Sequence, residues 1–151
     1  MAAAIVTRLN FGKTDVVQML NGCIGGLVAI TAEPLMPSPL AAILIGAVGG
    51  IIVVYGTKLL FSLKIDDVVG AIPAHLFAGI WGTLIVPATN AGANFSTQLI
   101  GVLSVNIFVF AVAYIVFKII KATVGLRLSK EGETKGTDVT ETGVIAYAIR
   151  D

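Results

Sequence analysis

The segment "DDVVGAIPAHLFAGIWG", residues 66–82, sets two acids directly before an apolar run that carries the only histidine of the chain. An imidazole among apolar neighbours is driven toward its neutral form, because desolvation penalises the cation. It then offers one N–H and one acceptor, which is the equipment of a proton relay. The structural alternative is a histidine that ties helices together by bonding a backbone carbonyl. On a regular helix Ala71, Ala74, His75, Ala78, Gly79 and Gly82 step by three and four and share one face. Ile72, Leu76, Phe77, Ile80 and Leu84 stand opposite, so the ring is expected to point toward neighbouring helices. Asp66 and Asp67 stand where a helix start takes a capping carboxylate.

The elements that must hold this ring are set by composition. The chain of 151 residues is 56% hydrophobic and 13% charged, with a mean hydropathy of +0.95. Soluble domains carry about 25% charged residues, so the composition points to a bilayer. A formal charge of +1, with no basic cluster interleaved with aromatics, excludes nucleic-acid binding as the theme. The single Cys23 has no disulfide partner and no metal-site companions. No paired-carboxylate, metal-spacing or nucleophile constellation falls inside the apolar runs, which argues against an enzyme.

Four apolar runs approach the roughly 20 residues that a helix needs to cross the hydrocarbon. They fall at 16–32, 39–61, 68–88 and 95–120, separated by "EPLMPSP" (33–39), "KIDDVVG" (64–70) and "TNAGANF" (89–95). Pro73 lies in the first turns of the third run, where a missing N–H costs least. The expected fold is therefore all-α: a polytopic membrane protein with four transmembrane helices in residues 1–122 and a cytoplasmic tail in 123–151. The opening "MAAAIVTRL" is too short for a signal peptide and reads as the end of another helix. Every Lys and Arg falls on one side of this arrangement, from Arg8 and Lys13 through Lys58 and Lys64 to Lys118 and beyond. That side is expected to be cytoplasmic, with both termini on it. Gly22, Gly25, Gly26 and Ala29 in the first run, and Ala42, Gly46 and Gly50 in the second, form small-residue rows that let helix backbones approach.

The order "NGCIGGLVAITA" (21–32), "IDDVVGAIPAHLFAGIWGTL" (65–84) and "VGLRLSKEGETKGTD" (124–138) resembles the carboxy-terminal part of an ammonium transporter of the Amt/Mep/Rh family. The resemblance implies an eleven-helix bundle assembled as a homotrimer in the cell membrane, with the four runs as its eighth to eleventh helices. It implies that His75, with Ala71, lines an apolar pore as one of a facing pair of histidines. Asp67, Gly79 and Trp81 would support it, and Asp67 matches an acid at the start of the same helix. The permeant would be ammonium, deprotonated at an outer vestibule and crossing as ammonia, with no cofactor and no metal. Gly125, Leu126 and Arg127 would begin a tail that docks beneath the helices, near where a P-II-type signalling protein can plug the pore. The sequence departs from the pattern at Leu76, where many members have glycine, and at Thr142, where the tail motif usually has histidine. The second histidine, the outer recruiting residues and the phenylalanine gate are not in this stretch, so it is expected to be a fragment of the family pattern. A regulatory or non-transporting four-helix membrane subunit or scaffold is the alternative.

Overall fold

The computed structural model describes residues 1–35 and 37–146, and every regular element among them is helical. It divides into two units, residues 1–104 and 105–151.

The first unit begins with α1 (Ala2–Phe11), which ends at Gly12 in the left-handed conformation, φ 71°. A four-residue link leads to α2 (Val16–Ile30), whose cap Asp15 accepts the Gln18 N–H at 3.0 Å. Thr7 is fully buried where α1 meets this turn; its hydroxyl donates to the Ala4 carbonyl and accepts the Asp15 N–H. Then comes α3 (Pro39–Ser62), opened by a Ser38 cap and a proline at its first position, where no N–H is needed. A π-helical turn (Ile72–Phe77) runs into α4 (Ala78–Ile85) and closes in a 3-10 turn (Val86–Ala88). These helices coincide with the first three apolar runs to within four residues at each end. The expected helix end in "MAAAIVTRL" is α1.

Glycine decides how closely these helices pack. At the α2–α3 crossing a Cβ on Gly49 would sit 2.7 Å from the Gly25 carbonyl oxygen, and one on Gly26 3.0 Å from that of Gly46. Gly82 of α4 meets α2 as well: a Cβ there would lie 2.8 Å from the Ala29 carbonyl carbon and nearer still to its oxygen. Gly56 of α3 receives Pro73 and Phe77 of the π-helical turn. Val53, Val54, Ala74 and Ala78 fill the small core between these contacts. Away from the charged side, the Asn90 carboxamide donates to Glu33 at 2.8 Å and joins the two loops that lack Lys and Arg.

The last long helix, α5 (Phe95–Thr123), starts in the first unit and ends in the second, and none of its 29 residues is buried. Of the helices, α3 and α5 are long and apolar enough to cross a membrane; α1, α2 and Ile72–Ala88 are shorter apolar helices. A surface this apolar requires a cover of lipid or further helices.

In the second unit α5 runs three residues past the expected boundary. Gly125, φ 92°, stops it, and the N–H groups of Val124 and Gly125 both bond the Ile120 carbonyl. Within α5 Phe110 stacks on Tyr114, and the Lys118 ammonium lies 5.4 Å from the Tyr114 ring centre. Beyond it, α6 (Lys130–Lys135) is capped by Ser129, and a π-helical turn (Asp138–Thr142) follows. Arg127 forks onto Glu133, and the Asp138 carboxylate accepts the Ala146 N–H at 2.8 Å.

The Arg127 hydrogen bond holds the Glu133 carboxyl below its ordinary range, and the bond from Ala146 does the same for Asp138. A carboxyl with a depressed folded-state pKa contributes above its unfolded pKa and loses that contribution as pH falls through the folded one. Backbone amide shifts of residues 127–146 are therefore expected to stay constant from about pH 7 to pH 5. They should move toward random-coil values only below the ordinary carboxyl range of about 4. In Glu133→Gln the α6 shifts should already be displaced at neutral pH. Both exposed contacts are weak, so the change is a fraying of the tail that leaves the helices of the first unit untouched.

Candidate functional site

The π-helical turn that carries His75 is assembled at its start by Asp67. One carboxylate oxygen accepts the Ala71 N–H and the other the Ile72 N–H, both at 2.9 Å. Two of the orphan donors of a helix start are thus satisfied by one charged group. The Asp67 carbonyl accepts the Gly70 N–H, and Gly70 turns the chain with φ 73°, a conformation that favours glycine. Asp66 is exposed and makes no hydrogen bond among the described residues. Both acids border an open cavity of about 280 Å³ with Thr57, Leu60, Phe61 and Lys64 on its wall.

Pro73 has no N–H, so the regular ladder fails at the second residue of the turn. The Ala78 N–H reaches back five residues to the Pro73 carbonyl, the spacing of a π-helix, which adds about one residue per turn. The face expected from a regular wheel is divided in its burial. Ala74, Ala78 and Gly82 are buried against α2 and α3, whereas Ala71 and His75 are exposed together. The ring therefore does not pack into the neighbouring helices of this chain, and the imidazole makes no hydrogen bond among the described residues. Among the described residues no backbone carbonyl accepts from it, which the structural alternative of helix glue would require. Leu76, the departure from the family pattern, is also on the surface at 39% exposure, and so does not crowd the packed side of the turn.

Gly79, one turn beyond His75, is half-buried, and a Cβ there would meet only Val28 Cγ1, at 3.7 Å. Nothing in this chain needs it to be glycine. Trp81 is half-buried and donates its indole N–H to the Ile45 carbonyl at 3.1 Å, tying α4 to α3. Asn21 was not foreseen as part of the site. Its side-chain Nδ2 donates to the Val69 carbonyl at 2.7 Å, joining α2 to the turn before the histidine. The signal available for it was a carboxamide, one of two with Gln18, in a helix whose other residues are apolar or glycine.

A family model described as the Ammonium Transporter Family matches residues 1–147. The chain belongs to the ammonium transporter family. Ammonium transporter Amt2 of Archaeoglobus fulgidus is 34% identical, over 97% of this chain and 36% of its own length. A putative ammonium transporter of Synechocystis is 40% identical over 89% of this chain and 31% of its own. Ammonium transporter Amt1 of Haloferax mediterranei is 36% identical over 96% of this chain and 29% of its own. The chain thus spans about a third of the length of these curated relatives. Ammonium transporters are membrane proteins, which accounts for the uncovered apolar surface of α5.

Proposed function

We propose that this chain forms one wall of an ammonium-transporting pore, with His75 and Ala71 on the permeation path. The observation that carries the reading is the family match along residues 1–147; the joint exposure of Ala71 and His75 supports it at the site. Ammonium resembles potassium in size and charge, so an apolar path selects for it only if the permeant gives up its proton first. A neutral imidazole can then accept a hydrogen bond from ammonia, or pass a proton to a second imidazole through a shared hydrogen bond, without the desolvation cost of carrying a full charge in isolation. The second imidazole and the facing wall come from the rest of the transporter, in keeping with midplane sites between two repeats. Asp67 sets the start of the histidine turn, Trp81 holds α4 against α3, and Gly79 leaves room beside the ring.

Residues 1–122 belong in the bilayer and 123–151 in the cytoplasm, with both termini inside, a reading supported by the one-sided Lys and Arg distribution. The complete transporter is a homotrimer, and its tail is the contact for a P-II-type protein. The test is growth of a transporter-null cell on limiting ammonium, with this chain expressed alone and joined to the first two-thirds of a relative. The joined protein is expected to restore growth and the chain alone is not. Failure of the joined protein at matched membrane abundance, or rescue by the chain alone, would contradict the one-wall reading.

A further inference from the structure

The Val69 carbonyl lies four residues before Pro73, where a helix would normally supply an N–H and the proline supplies none. The carbonyls and amides around it are otherwise paired: the Gly70 carbonyl accepts from Ala74 at 3.2 Å, and the Ala71 and Ile72 N–H groups go to Asp67. The partner of Val69 comes from another helix. Asn21 Nδ2 reaches it at 2.7 Å across 48 positions of sequence. The same nitrogen occupies the space beside Gly70, where a Cβ would lie 2.5 Å from it. A larger residue at 70 would expel the carboxamide.

From this geometry we infer that Asn21 is a positioning residue for His75, its side-chain amide replacing the donor that Pro73 lacks and fixing the histidine turn against α2. The turn needs such a fixing point. Its own ladder is interrupted at Pro73, His75 makes no hydrogen bond among the described residues that would orient it, and the π-helical spacing can relax to the regular one with a rotation of the ring. The bond is exposed in this chain, so its weight is that of an ordinary hydrogen bond, and it serves as a tether and a register mark. The role in transport rests on the reading that His75 lines the pore; the mechanical role does not.

The chain holds a single histidine, so isotope labelling of histidine alone in the full chain, reconstituted in nanodiscs, reports on His75 directly. Asn21→Leu keeps the shape of the side chain and removes the donor. It is expected to move the His75 ring cross-peak by more than its linewidth. Pro73→Ala restores a backbone donor to Val69, so the double variant Asn21→Leu/Pro73→Ala should return the peak to the position seen in Pro73→Ala. In the joined transporter the same pair should show a loss of uptake of up to about tenfold in Asn21→Leu, the weight of one hydrogen bond, and its recovery in the double variant. An unmoved peak in Asn21→Leu, or no recovery in the double variant, overturns the inference. Should Asn21→Leu fail to fold, the infrared carbonyl stretch of isotope-labelled Val69 in the unaltered chain decides: a free-carbonyl frequency overturns it and a bonded one supports it. Normal uptake in His75→Ala would instead sink the pore reading while leaving the peak shifts standing.

Discussion

Methylammonium uptake by the joined transporter is expected to fall by roughly two orders of magnitude in His75→Ala, the low end of what a positioned proton-transfer group contributes. The exposed imidazole makes no hydrogen bond among the described residues, so its loss leaves the α2–α3–α4 packing intact. The yield of folded, monodisperse protein and its thermal stability should be unchanged. His75→Glu keeps a protonatable oxygen near the same place and should retain more uptake than alanine, with a pH dependence displaced from that of the parent. Parallel losses of uptake and of folded protein in both variants would return His75 to a structural role.

The second large effect is on folding and separates two glycines three residues apart. Gly82→Ala drives a methyl group into the Ala29 backbone at distances no Cβ tolerates, and a backbone cannot rotate away as a side chain can. Forcing α2 and α4 apart also loosens the Gly25–Ala78 contact, 3.5 Å from a Cβ placed on Gly25. Overpacking of this kind costs about 1–3 kcal/mol, and the backbone target puts Gly82→Ala near about 3. Gly79→Ala meets only Val28 and gains helix propensity of about 0.5–1 kcal/mol. The yield of monodisperse protein in detergent and its unfolding temperature should therefore drop for Gly82→Ala and hold for Gly79→Ala. Equal stability of the two would mean that the α2–α4 crossing is looser than described here.

Much of this packing was legible before any coordinates. Hydropathy placed α2, α3, the histidine helix and α5, because long apolar runs bounded by Gly, Pro, Asn and Asp have few other solutions. The rows of Gly22, Gly25, Gly26, Gly46 and Gly50 marked the α2–α3 crossing, since only hydrogen in place of Cβ allows carbonyl oxygens so near. Capping by Asp67 followed from its place before Ala71, whereas Asp66, read in the same way, makes no capping bond among the described residues. Which residues of the histidine face pack within this chain did not follow. On a regular wheel Ala74 and His75 already stand about 100° apart, and docking against α2 and α3 buries Ala74, Ala78 and Gly82 while Ala71 and His75 are left at the exposed edge of the face. Asn21 was hidden for a related reason: the donor that Val69 needs is missing through Pro73, and which distant side chain supplies it depends on how α2 docks. Residues 147–151, where the expected tail segment "VIAYAI" ends, lie outside the described residues.

The central claim is that the exposed strip of Ala71 and His75 borders the path that ammonia takes. Ala71→Cys in a Cys23→Ala background leaves the imidazole in place and puts a unique thiol on that strip. The deciding measurement is methylammonium uptake by the joined transporter in proteoliposomes before and after a small thiol reagent, with labelling quantified by mass. The account predicts that complete labelling of Ala71→Cys blocks uptake and that ammonium slows the labelling, while the Cys23→Ala parent is unaffected. Complete labelling with unchanged uptake would place the strip away from the pore and contradict it.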